Sequence, residues 1–278
     1  MSSKKDYHIL NSFSLKIIGM ISMILDHIGV FYEMYHSSIP SYDINVQLVL
    51  RILGRISFII FAFLTVEGVL HSKKPLLYLV KLLTLSLTCD IVFLIATKEY
   101  VGNPITTLFL GGLTIYLLKD RRWFIKLLSV VPLTLTLLIA FEFIPLKADY
   151  DIYGLITIIL FYIGKILADI ITKYVSTTYS LDEETFLNSS YYLTLRNMIS
   201  SILFITFTLI VYFVNPIWNG KGLFSEIMFI QVYAIFGTIP LLFYNGKRGY
   251  NKTWFKYGCY GFFPLHIIII YLIFNILL

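Results

Sequence analysis

Long apolar runs separated by short polar ones dominate this chain. Nine runs emerge, at about 13–35, 45–70, 76–97, 103–118, 123–143, 152–173, 195–214, 222–244 and 257–277. A helix rises about 1.5 Å per residue, so about 20 apolar residues cross a bilayer. The pattern predicts an all-α polytopic membrane protein, with about nine transmembrane helices in one bundle and a single domain over residues 1–278. The fourth run is the shortest and holds Gly111-Gly112. Connections are short except for the polar stretch 174–194, which carries Asp182, Glu183 and Glu184.

Composition agrees with that reading. The 278 residues are 58% hydrophobic and 14% charged, with mean hydropathy +0.81, whereas a soluble domain carries about 25% charged residues. The formal charge of +6 belongs to a membrane surface, because no soluble basic face offers itself to nucleic acid. Charge placement predicts orientation, since cytoplasmic ends keep lysine and arginine. With the N-terminus inside, 17 of the 22 lysines and arginines fall at inner ends, among them Lys4, Lys5, Lys119, Arg121 and Arg122. Lys98, Lys147 and Lys221 fall outside, and the C-terminus ends outside. Lys4 and Lys5 before an apolar stretch imitate a signal peptide. That stretch is too long and lacks a small-residue cleavage site, so a retained first span is expected. Cys89 and Cys259 sit in or beside apolar segments without a CxxC, as small core residues do.

Polar groups inside the runs carry the chemical signal. Leu15–Met34 holds Asp26 and His27 near its middle. An ionisable group at that depth costs about 2.5–3.5 kcal/mol on insertion scales, and it needs a partner or a water-filled cavity. Arg51 and Arg55 lie one turn apart in the second run, Asp90 lies mid-run in the third, and His266 follows Pro264 in the last. Counting residues from the charged ends puts Asp26, His27, Arg55, Asp90 and His266 at compatible depth. Glu67 and His71 mark the inner end of the second run. The plainer alternative is a structural lock, Arg55 paired with Asp26 or Asp90, because buried charges need partners.

The inner loop Tyr244-Asn245-Gly246-Lys247-Arg248-Gly249 is a second constellation. Its glycines allow a tight turn with open backbone N–H groups, and its two cations suit a phosphate. Lys73-Lys74 and the run Lys119 to Arg122 would share the same cytoplasmic mouth. An ordinary positive-inside loop has the same composition.

Two functions fit these residues. In the first, the mouth (Asn245, Lys247, Arg248, Lys73, Lys74) holds a phosphorylated donor such as a CoA thioester, and acyl transfer proceeds within the membrane without a metal. His27 is the general base, His266 a helper, Asp26 an orienting acid and Arg55 an oxyanion or pantetheine contact. Arg51, Glu67, His71 and Asp90 are further polar site residues. In the second, the same Asp and His groups form the proton relay of a small-molecule transporter. No pair of interrupted helices in matching halves favours that transporter.

The chain resembles the TraX family of conjugal-transfer membrane proteins along most of its length. The runs that carry the resemblance are LKIIGMISMILDHIG (Leu15–Gly29), RILGRISFIIFAFLTVEGVLH (Arg51–His71), ADYDIYG (Ala148–Gly154), YNGKRG (Tyr244–Gly249) and FFPLH (Phe262–His266). Three departures stand out. Ile59 replaces a usual proline, Asp151 replaces the glycine that usually follows ADY, and Ser72-Lys73-Lys74 replaces the common residues after the histidine. The resemblance implies an acetyltransferase, since the family's namesake acetylates the amino terminus of F-pilin from acetyl-CoA. It also implies distant kinship with membrane sugar acyltransferases. The expected partners are an acyl-CoA, a pilin, peptide or surface-glycan acceptor, and the lipid of a bacterial inner (cytoplasmic) membrane.

Overall fold

The computed structural model describes residues 7–36, 43–98, 100, 102–214 and 228–277. Lys4, Lys5, Lys221 and the start of the eighth apolar run lie outside the described residues. Among those described, the chain is helical, with isolated bridges in place of strands. In order come α1 (Ser12–His36), α2 (Ile44–Gly54), α3 (Ile56–His71), α4 (Pro75–Thr97), α5 (Pro104–Leu118), α6 (Trp123–Leu127), α7 (Val130–Ala140), α8 (Asp151–Thr178), α9 (Glu183–Leu187), α10 (Ser190–Val214), α11 (Met228–Gln231), a 3₁₀ turn (Val232–Gly237), α12 (Thr238–Leu242) and α13 (Thr253–Leu277). Seven stretches among the described residues are long and apolar enough to cross a membrane; α2 with α3, and α6 with α7, each count as one. Pro104–Leu118 and Val232–Leu242 are apolar but shorter. The chain is therefore a multi-pass membrane protein.

Three predicted spans are interrupted. The second breaks at Arg55, the fifth breaks between α6 and α7, and the eighth arrives as α11, the 3₁₀ turn and α12. Hydropathy records apolarity and is blind to where backbone carbonyls find other donors. At the first break, Ser22 Oγ of α1 donates to the Leu53 carbonyl at 2.5 Å and reaches that of Gly54 at 3.2 Å. A neighbouring helix can tolerate such a break in a membrane when it supplies the missing partner. The stretch 174–194 also differs from a plain loop, being mostly helical through the end of α8, α9 and the start of α10.

α3 is the hub. Ile59, Ile60, Ala62, Phe63, Val66 and Val69 are buried in the main core, together with Leu15 of α1, Leu79 of α4, Ile105 of α5, Ile158 and Phe161 of α8 and Phe204 of α10. The short α5 packs inside as well. A Cβ on Gly111 would meet Ile158 at 2.5 Å, and one on Gly112 would meet Leu79 at 2.9 Å. Those bare positions let α8 and α4 close on α5, which spends its length on protein contacts rather than lipid.

α1 and α13 lie parallel. Phe13 pairs with Phe255 near their starts, His27 with His266 midway, and Phe31 with Phe274 near their ends. One end of the bundle gathers the start of α1, the end of α3, the end of α5 and the loop after α12, joined by Ser12 N–H to the Lys247 carbonyl, Arg248 to the His71 carbonyl and Lys119 to the Val69 carbonyl. The other end gathers the starts of α5 and α8, where Asn103 bridges Ala148.

Candidate functional site

The first centre forms where α1 meets the α2–α3 break. The Asp26 carboxylate accepts from Arg51 Nη1 at 3.0 Å and, through its other oxygen, from Arg55 Nη2. Arg51 and Arg55 are one turn apart, so both guanidiniums reach the same carboxylate. Gly54 makes the approach possible, since a Cβ there would lie 2.3 Å from Asp26 Cβ. Arg55 is buried. Its guanidinium carbon lies 5.7 Å from the centroid of the Tyr150 ring, which stacks on Phe58 at 3.9 Å.

His27 turns away from Asp26. Its Nδ1 lies 2.8 Å from the Met23 carbonyl and 3.3 Å from His266 Nε2. A carbonyl only accepts, so Nδ1 carries the proton. His266 Nδ1 likewise donates to the Phe262 carbonyl at 2.8 Å, which makes His266 Nε2 the acceptor from His27. The lone pair of His27 then rests on Nε2, which makes no hydrogen bond among the described residues. This is the tautomer that a general base requires, and His266 stands ready to stabilise the imidazolium formed when that base takes a proton. The sequence reading gave Asp26 the task of orienting the imidazole. The Met23 carbonyl does that instead, and Asp26 holds the two arginines, because adjacent helical residues point about 100° apart.

Asp90 stays out of this cluster. Asn103 Nδ2 donates to its carboxylate at 2.7 Å, while Asn103 Oδ1 caps the start of α5. Depth along a helix says nothing about which way a side chain faces.

The sequence reading passed over Asp149 and Tyr150. The loop before α8 dips back toward Arg55 and is held there by Thr107 Oγ1 donating to the Asp149 carbonyl. Gly154 admits it, since a Cβ there would meet Thr107 at 2.6 Å and Phe58 at 2.7 Å. Asp149 keeps an exposed side chain in surroundings dense with protein atoms. Those surroundings push its carboxyl above the usual carboxylate range, with the Arg55 guanidinium opposing the rise. The ADYDIYG run was the available signal, since it holds an acid beside an aromatic next to a glycine.

A second polar centre lies at the other end of α3. Glu67 accepts from Arg196 Nη1 at 3.2 Å and from the Tyr244 hydroxyl at 3.1 Å, with His71 Nδ1 3.9 Å away. Arg196 lies over both the Phe63 and Tyr244 rings. Sequence reading counted Arg196 only as an inner-end charge; it is in fact buried. Just beyond, Arg248 and Lys119 cap the carbonyls at the end of α3, and Lys73 and Lys74 follow, exposed. Sequence analysis also expected open N–H groups in the glycine loop. Those of Asn245 and Lys247 are engaged by the Leu10 carbonyl and Asn245 Oδ1. The loop clasps the start of α1, and its cations together with the N–H groups of Gly246, Arg248 and Gly249, which make no hydrogen bond among the described residues, remain to meet an anion. A cavity of about 380 Å³ beside α10 and α12, lined by Met198, Ile202, Ile205 and Leu242, includes no residue of either centre.

The model of the family described as "TraX protein" matches residues 12–182. That stretch holds Asp26, His27, Arg51, Arg55, Glu67, His71 and Asp149, whereas Arg196, the glycine loop and His266 lie beyond it. The chain is also 30% identical over 162 residues to the "Probable fimbrial assembly protein FimC, serogroup H1" of Dichelobacter nodosus. That match covers 52% of this chain and 59% of the relative, so the chain spans less than two thirds of the relative's length. No solved structure matches the chain.

Proposed function

We propose a function from one premise: the chain belongs to the TraX family. It is an inner-membrane acyltransferase that moves an acetyl group from acetyl-CoA to an amine or hydroxyl. The observation that carries this reading is His27, with Nδ1 committed to the Met23 carbonyl and to His266 and with Nε2 left as the basic nitrogen. A neutral imidazole aimed away from its anchor can take a proton from an attacking nucleophile. The guanidiniums of Arg51 and Arg55 lie within electrostatic reach of that ring and can answer the negative charge that develops on the thioester oxygen.

The donor enters from the basic end. Lys73, Lys74, Lys247 and Arg248 meet the CoA phosphates there, with Asn245 holding the loop that presents the last two. Ser12, tied to that loop, lies 15 residues before His27, a path of about 22 Å at helical rise. An extended phosphopantetheine arm has that scale. The acceptor comes from the opposite end, past Asp149. A pilin is the acceptor favoured by the fimbrial-assembly name of the Dichelobacter nodosus relative, with peptides and surface glycans as the wider class. The parallel α1 and α13 support an odd number of crossings, and the nine-span reading, with the N-terminus cytoplasmic and the C-terminus outside, has that parity.

Acetyl-CoA binding to oriented membrane vesicles tests donor and orientation together. Inside-out vesicles carrying the wild type should bind it saturably, right-side-out vesicles should not, and Lys247→Glu with Arg248→Glu should weaken it at least about tenfold by removing two charge-assisted phosphate contacts. Binding from the outer face, or binding untouched by the charge reversal, would contradict the assignment.

A further inference from the structure

The loop before α8 brings Tyr150 against Arg55 in a conformation that the backbone does not choose unaided. Tyr150 sits at φ +68° and Asp151 at φ +33°. In that left-handed region the Cβ of an L-residue crowds the following carbonyl oxygen. Strained residues persist where the surrounding structure over-determines them, and they gather at functional sites. This pair is held on both sides. The Asp149 N–H donates to the Asn103 carbonyl at 3.3 Å, the Asp149 carbonyl accepts from Thr107 Oγ1, and the Gly154 N–H donates to the Tyr150 carbonyl at 2.7 Å.

What the loop delivers is a ring. Tyr150 stacks on Phe58 with centroids 3.9 Å apart and planes 9° apart. Phe58 is buried on the first turn of α3, one turn after Arg55, so the ring is fixed to the element that follows the cation. The Arg55 guanidinium carbon lies 5.7 Å from the Tyr150 centroid, within reach of cation–π attraction, which strengthens where water is excluded. Arg55 is 3% exposed. Its hydrogen bonds act at the tips. Nη2 donates to Asp26, Nη1 lies 3.5 Å from Gln231 Oε1, and Nε has no hydrogen-bond partner among the described residues. The ring adds the contact that those bonds leave out, at the guanidinium carbon.

Resting on the acyl-transfer reading above, we propose that Tyr150 is a positioning residue of the reaction: its ring, pinned on Phe58 by the strained loop, holds the Arg55 guanidinium on the Asp26 carboxylate, from where it answers the charge that develops on the thioester oxygen. Tyr150 itself touches no reacting atom. The face of the ring does the holding, because that is where an aromatic system carries its negative charge. The phenol oxygen is not required.

The test measures acceptor-dependent CoA release from acetyl-CoA by the full-length protein in liposomes, with a peptide α-amine as acceptor. Tyr150→Leu should lose about tenfold in kcat, the scale of one desolvated cation–π contact. Its KM for acetyl-CoA should change little, since the charge that Arg55 answers exists only in the transition state. Tyr150→Phe, which keeps the ring, should restore most of what leucine loses. In an Arg55→Gln background no cation remains to be aimed, so Tyr150→Leu should cost no more than about twofold there. Tyr150→Asn, which has no ring and accepts left-handed backbone, is read in the same way if the leucine variant fails to fold. Three results overturn the role of Tyr150 while the acyl-transfer reading stands: wild-type kcat in a folded ringless variant, a phenylalanine variant as slow as the leucine one, or the same loss with and without Arg55. A wild type that releases no CoA overturns both.

Discussion

At Asp151 the backbone sits at φ +33°, directly after Tyr150 at φ +68°. Left-handed backbone costs an L-residue about 1–2 kcal/mol, and glycine escapes that cost. The resemblance places a glycine where this chain has Asp151, and the angle supplies the reason. Asp151→Gly should therefore raise stability by about 1 kcal/mol, read as a higher unfolding midpoint in detergent. An unchanged or lower midpoint would mean that the aspartate offsets the strain through a contact of its own. The grouping of Asp26, Arg55, His27 and His266 was legible in the sequence because helical rise converts residue number into depth. Asp90 shows the limit of that counting, since it pairs with Asn103 at the start of α5 and stays apart from them. Asp149 escaped for another reason. It lies in a loop that folds back, so no helix runs past it to be counted along.

Among the elements, the α2–α3 break does the most to shape the site. It lets Arg55 lie between two helices, and Ser22 takes up the carbonyls that it frees. The close approach of α1 depends on Gly54, so Gly54→Val should push the helices apart and cost about 1–3 kcal/mol, as overpacking does. A thermal unfolding series in detergent would show it, and a variant as stable as the wild type would mean that the helices do not meet so tightly. No hydropathy profile reveals this break, because the residues on both sides of it are apolar. α5 is the opposite case. Its shortness and its Gly111-Gly112 pair were visible in the sequence, and close packing against α4 and α8 explains both.

Across the whole molecule, two polar layers lie along α3, twelve residues or about 18 Å apart from Arg55 to Glu67. The Glu67–Arg196–Tyr244 layer adjoins the basic end, and the Asp26–Arg55–His27–His266 layer adjoins the loop that carries Asp149 and Tyr150. Charge placement in the sequence pointed to a shared end for Lys119 and Arg248, which the structure brings together on the last carbonyls of α3. It gave no sign that the loop after α12 would close on the start of α1 through its own backbone. The central claim is that His27 is the base of an acetyl transfer. Its most direct test is acceptor-dependent release of CoA thiol from acetyl-CoA by protein reconstituted into liposomes, with a peptide α-amine or a hexosamine as acceptor and wild type beside His27→Ala. The account predicts release by the wild type and a loss of at least about 100-fold in the variant, the usual worth of a positioned general base, with acetyl-CoA binding retained. Equal release by His27→Ala with binding intact would contradict it.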